Sequence, residues 1–203
     1  MKTLNEIDTT AKKASKAAGF SWGIAEEIGK SIESLELFGL PGVINLNLYL
    51  KKVKKKHPEK LYKIEKENRL KNKELCPIYC GVAFLDKCRQ LETLQSIKYY
   101  NVSYPLLILP FIIKTSELLE KKILIEYNNS SFLLNFNRFI FSKNLNKQVD
   151  SLAKEIRIEF LENKDSFSEQ NWKELYKLSE KTFVEESESS KTNAAGAGLI
   201  DND

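Results

Sequence analysis

The stretch GFSWGIAEEIGK, residues 19–30, sets a glycine, a serine, a tryptophan and two adjacent glutamates close together. Ser21 stands where a helix N-cap would stand, and a helix start offers free backbone N–H groups that can hold an anion. Glu26 and Glu27, one turn further in, already answer the positive end of the helix dipole, which makes a second anion less welcome. Trp22 then has two readings. It is a staple that fixes a capped helix start to the core, or it lies over a ligand with Glu26 or Glu27 as acid, base or oxygen ligand to a metal. The closing run SESSKTNAAGAGLIDND is the second place where chemistry is concentrated. Its alternating Gly and Ala remove side chains, so the backbone can approach a ligand closely or thread a narrow groove. Asp201, Asn202, Asp203 and the terminal carboxylate gather oxygens at one tip, and Leu199 and Ile200 before them give the strip something apolar to dock with. The plainer reading is a disordered acidic tail.

The rest of the composition excludes more than it suggests. His57 is the single histidine and sits between a lysine run and Pro58, so a Ser-His-Asp or Cys-His arrangement would have to use a base with no evident buried partner. Two-histidine zinc-protease chemistry is impossible. Cys76, Cys80 and Cys88 can share a helix face, but three thiols without a fourth ligand read as buried structural residues, and no metal set is assigned. Lys51 to Lys73 holds eleven Lys and Arg against three Glu, while the whole chain carries only +4. Only one of those eleven is arginine, and bidentate readout of bases and phosphates favours arginine, so a solvated segment is expected in place of a nucleic-acid surface. The opening residues lack a basic, apolar and small-residue leader, and the run Tyr104–Ile113 is half the roughly 20 residues a membrane helix needs. A cytoplasmic protein without a membrane span is expected.

Elements that would position these groups can be read from periodicity. Leu4, Ile7, Ala11, Ala14 and Ala18 recur at helical spacing, with Thr3 as cap and Gly19 as stop. Ser21 begins a second helix, with Ile24, Ala25, Ile28, Ile32 and Leu35 as its stripe and Gly39 and Pro41 at its end. Ala14, Ala17, Ala18, Ala25 and Gly29 allow the pair to pack closely. GVINLNLYLKKV is read as a helix led by Pro41, continuing as a charged helical segment over 51–75. CPIYCGVAFLDKC suits a short strand or a helix, and YPLLILPFII is buried sheet or core. Two β-rich runs flank NNSS, a hairpin signal, RFIFS adds a strand, and EIRIEFL alternates with period two. Ser168 caps a last helix anchored by Trp172, Leu175, Leu178 and Phe183. The expected fold is α+β: an amino-terminal helical pair on a small antiparallel sheet, a C-terminal helix, and an extended Gly/Ala-rich tail. A single domain over 1–184 is followed by the tail, 185–203.

GFSWGIAEEIGK, CPIYCGVAFLD, YPLLILPF and ESSKTNAAGAGLIDND together resemble an uncharacterised bacterial family, the domain of unknown function numbered 3726. The resemblance singles out Ser21, Trp22, Gly23, Ala25, Glu26, Glu27, Glu188, Ser190, Gly196, Gly198, Asp201, Asn202 and Asp203. Lys191 stands where the family pattern has arginine and Ala194 where it has glycine, which weakens an anion clamp at 191. The family name implies no activity, and no cofactor is identified. Two functions of different class remain. The first is a non-catalytic accessory or interaction protein that docks its acidic tail on a partner enzyme or a second copy of itself. The second is a small enzyme or ligand-binding protein in which Trp22, Glu26 or Glu27 and the tail close over a small polar metabolite.

Overall fold

A computed structural model describes residues 2–53, 58–61, 63–136, 139–143, 149–162 and 164–182. His57, Phe183 and the whole tail from 185, with Glu188, Ser190, Lys191, Gly196, Gly198, Asp201, Asn202 and Asp203, lie outside the described residues. Contacts divide the chain into two compact units, Met1–Asn163 and Lys164–Asp203.

The first unit opens with α1 (Leu4–Ala17) and α2 (Trp22–Leu37). Thr3 and Glu6 form a reciprocal capping box, and Ser21 Oγ accepts from Ile24 N–H at 3.4 Å. Gly39 (φ 71°) follows α2 in the left-handed conformation that stops a helix without a Cβ penalty. At Gly29 a Cβ would lie 2.9 Å from the Asp8 carbonyl oxygen, so the close packing of the pair expected from small residues is present. Next comes α3 (Gly42–Val53). The charged helix expected over 51–75 does not continue beyond it among the described residues. Pro58 has no N–H to give to a helix. Instead β1 (Glu67–Asn68) joins a sheet edge, with Asn68 buried and its amide donating to the carbonyls of Glu65 (2.7 Å) and Lys98 (3.0 Å).

CPIYCGVAFLD is α4 (Pro77–Asp86), with Pro77 at its first position, followed by the single turn α5 (Cys88–Leu91). YPLLILPFII supplies core as expected, but as a 3-10 turn (Pro105–Ile108) running into α6 (Leu109–Leu119), not as sheet. Pro105 and Pro110 each lack a donor for a central strand yet fit the first turn of a helix. The sheet contains β2 (Ser96–Ser103), β3 (Lys122–Tyr127), β4 (Ser130–Asn135), β5 (Phe139–Lys143) and β6 (Leu152–Leu161) in the order β1-β2-β6-β3-β4-β5. Among the described residues it is therefore six-stranded and mixed, larger than expected: β1 runs parallel to β2, and the other pairs are antiparallel. The NNSS hairpin is present, Tyr127 facing Ser130 across Asn128 in the left-handed region (φ 48°). Ile156, Ile158 and Phe160 of β6 are buried, as period two requires.

The helical pair meets α3 and α6, while α6 carries the contact onward to β3, β4 and α4. α6 is thus the middle layer, which is why Leu109, Phe111, Ile112 and Ile113 are apolar all round and fully buried. No helix of the described residues is long and apolar enough to cross a membrane.

In the second unit Ser168 caps α7 (Glu169–Ser179) in a capping box with Asn171. Phe167 stacks on Trp172 with ring centroids 5.6 Å apart.

Candidate functional site

Ser21, Trp22, Glu26 and Glu27 fall on α2 as expected, but α2 turns them to different neighbours. Trp22 is exposed, with Lys16 Nζ 5.4 Å from its ring centroid. It is not a staple into the core. Phe20, one residue before the cap, is the side chain that enters the core: it is buried and packs on Tyr79 at 5.7 Å between centroids. Glu26 shares the Trp22 face and is exposed. Glu27, five positions from Trp22, projects about 140° around the helix and pairs with Lys114 of α6. Its carboxylate ties two helices together.

A different constellation was not visible as a motif. Tyr49, Lys52 and Val53 stand at i, i+3 and i+4 on the last turns of α3. Opposite them, Leu75 pairs in parallel with Val102, its N–H donating to the Asn101 carbonyl (2.8 Å) while Ser103 N–H donates back to Leu75 (3.1 Å). That pairing brings Cys76, the N-cap of α4, and Ser103, the last residue of β2, to one place. Between these elements opens a cavity of about 290 Å³.

Its polar groups are ordered. The Tyr49 hydroxyl donates to Cys76 Sγ at 2.8 Å, both groups buried, and Sγ in turn accepts from Tyr79 N–H at 3.4 Å. Burial pushes the Cys76 thiol up to about 11 and raises Tyr49 and Cys80 as well, so this floor is neutral. On the wall, Lys52 Nζ donates to Ser103 Oγ at 3.1 Å and pairs with Glu74. At the mouth, Lys73 pairs with Glu59. A thiol held protonated and donated to is a poor nucleophile, and an ammonium held by a carboxylate is a donor, not a base. The arrangement is suited to binding. All three cysteines are buried and free, as read from the sequence.

The second unit offers an apolar face. On α7, Trp172, Leu175, Tyr176 and Leu178 are each at least half exposed, although their helical positions gather them into one broad stripe.

This helical start lies in a stretch that matches a known family. Over residues 2–77 the chain matches the family described as "Protein of unknown function (DUF3726)", so the resemblance seen in its motifs holds for the amino-terminal part. The match takes in α1 to α3, Ser21 to Glu27, and the pocket residues Tyr49, Lys52 and Cys76. No curated protein and no solved structure matches the chain.

Proposed function

We propose that the chain is a non-catalytic interaction protein that associates with a second copy of itself through its carboxyl-terminal segment. The observation that carries this reading is the stripe of α7, where Trp172, Leu175, Tyr176 and Leu178 each leave at least half of the residue's surface in water. A helix that exposes such a stripe fits the helix-in-groove mode of recognition, and aromatic residues are the usual anchors. Charge indicates what kind of surface would receive it. Residues 164–203 hold nine acidic residues against five lysines, a net charge of −4, whereas residues 1–163 carry +8. A second copy therefore supplies a basic surface for an acidic segment, and the same complementarity raises the encounter rate.

Sedimentation velocity on the full chain tests this directly. The wild type is expected to dimerise at micromolar concentration in low salt and to dissociate as salt screens the attraction. The Leu175→Glu, Leu178→Glu variant should be monomeric with an unchanged unfolding midpoint, because neither side chain is part of a core. Removing residues 192–203 should weaken the dimer without altering the fold. A wild type that stays monomeric at 100-fold higher concentration, or a double variant that dimerises equally well, would sink the reading.

A further inference from the structure

The cavity between α3, the 72–76 segment and the end of β2 has a chemistry that points to a ligand of its own. At about 290 Å³ it is at the small end of ligand pockets, which run from about 300 Å³ upward, so it is sized for a metabolite and not for a nucleotide. Its walls are apolar at Val53, Pro58 and Leu75, and its floor is the neutral Tyr49–Cys76 pair.

The charged groups around it are balanced. Lys52 with Glu74, and Lys73 with Glu59, put two ammonium and two carboxylate groups around one opening. Both pairs keep 40–49% of each side chain in water, and ion pairs at that exposure are worth about 0–1 kcal/mol, so a ligand can exchange for either partner at little cost. A simple anion would meet two carboxylates, and a simple cation two ammonium groups. A molecule carrying both charges meets an opposite partner at each end. Ser103 supplies direction. It is 4% exposed and lines the cavity, and its Oγ accepts from Lys52, while its own proton has no acceptor among the described residues. A carboxylate beside Lys52 would accept that proton, and an ammonium group would then face Glu74 or Glu59.

We propose that this cavity is a binding site for a small zwitterion, a free α-amino acid, whose carboxylate is held by Lys52 and Ser103 and whose ammonium group is held by Glu74 or Glu59. The side chain of such a ligand would lie along Val53 and Leu75 toward the neutral floor.

The test is titration calorimetry of the full chain with the twenty common α-amino acids. At least one is expected to bind with a Kd below about 1 mM, and its des-amino and decarboxylated counterparts at least tenfold more weakly. Lys52→Met, and Glu59→Gln combined with Glu74→Gln, should each weaken binding tenfold or more. These sites are half exposed and the unfolding midpoint should stay in place; Ser103→Ala, which removes the hydroxyl offered to the ligand carboxylate, serves as the second variant if either fails to fold and should also weaken binding tenfold or more. If none of the twenty binds, or if the des-amino acid binds as tightly as its parent, the zwitterion site is wrong. Dimerisation is read separately by sedimentation, so either proposal can fail alone.

Discussion

Replacing Phe111 by alanine is expected to destabilise the protein by about 3–5 kcal/mol, the range for truncating a large aromatic in a core that cannot fully collapse. Phe111 is completely buried on α6, the helix that carries contact from α2 on one side to β3, β4 and α4 on the other. A hole there loosens every layer at once. The opposite change, Gly81→Ala on α4, should cost about 1–3 kcal/mol by overpacking, since a Cβ at Gly81 would lie 2.5 Å from Phe111 Cγ and 3.0 Å from its Cβ. Because both changes act on one contact, they should not add. In Gly81→Ala with Phe111→Ala, the new methyl enters the space left by the ring, and the double variant should be more stable than the sum of the singles by at least about 1 kcal/mol. Urea denaturation of the four proteins measures this. Simple additivity would mean that α4 and α6 do not approach through Gly81.

What sequence made legible here was local. Thr3 with Glu6, Ser21, and Ser168 are caps whose partners lie three residues away, so their chemistry is complete in a short window. Gly39 and the Asn128 turn are of the same kind, since a left-handed residue is specified by its own side chain or lack of one. α6 was not legible as a helix because a segment buried on all sides has no polar face, and period then cannot separate it from a strand. β2 carried a signal that could have been used, with Ile97 and Tyr99 buried and alternating with Lys98 and Tyr100. β1 carried none: two residues become a strand only because β2 offers an edge and Asn68 satisfies two carbonyls.

The sites follow the same division. Ser21 was recognisable as a cap, but whether Trp22 or Phe20 entered the core depended on Tyr79, about sixty positions further along the chain. The pocket joins Tyr49, Cys76 and Ser103, each about 27 residues from the next, through one parallel bridge between Leu75 and Val102. No spacing rule connects three residues at that separation, and none of them is an unusual residue type. Cys76 drew notice as a thiol and proves to be a helix cap and a hydrogen-bond acceptor, roles that only its neighbours define.

Those neighbours also give the second large expected effect, a loss of stability in alkali. Burial raises the Cys76 thiol from 9.0 to about 11, against the opposing pull of the Tyr49 hydroxyl and two backbone N–H groups, and burial raises Cys80, Tyr49 and Tyr99 in the same direction. An acid whose folded value lies above its unfolded one keeps its proton in the native state while the unfolded chain gives it up. Its contribution is whole below pH 9 and is lost as the pH climbs from about 9 toward 11. The Cys76 thiol removes about 1.4 kcal/mol per pH unit in that window, and Cys80 and the buried tyrosines act in the same direction. Against a total stability of about 5–15 kcal/mol, a slope of that size is a large fraction of the whole. Denaturant midpoints should therefore be level from pH 7 to 8.5 and fall steeply beyond pH 9. Cys80→Ala removes one buried acid with little change in volume, and should flatten the fall by about 1.4 kcal/mol per pH unit. A slope unchanged by Cys80→Ala, or reaction of Cys76 and Cys80 with a thiol reagent before unfolding, would show that this core is open to solvent.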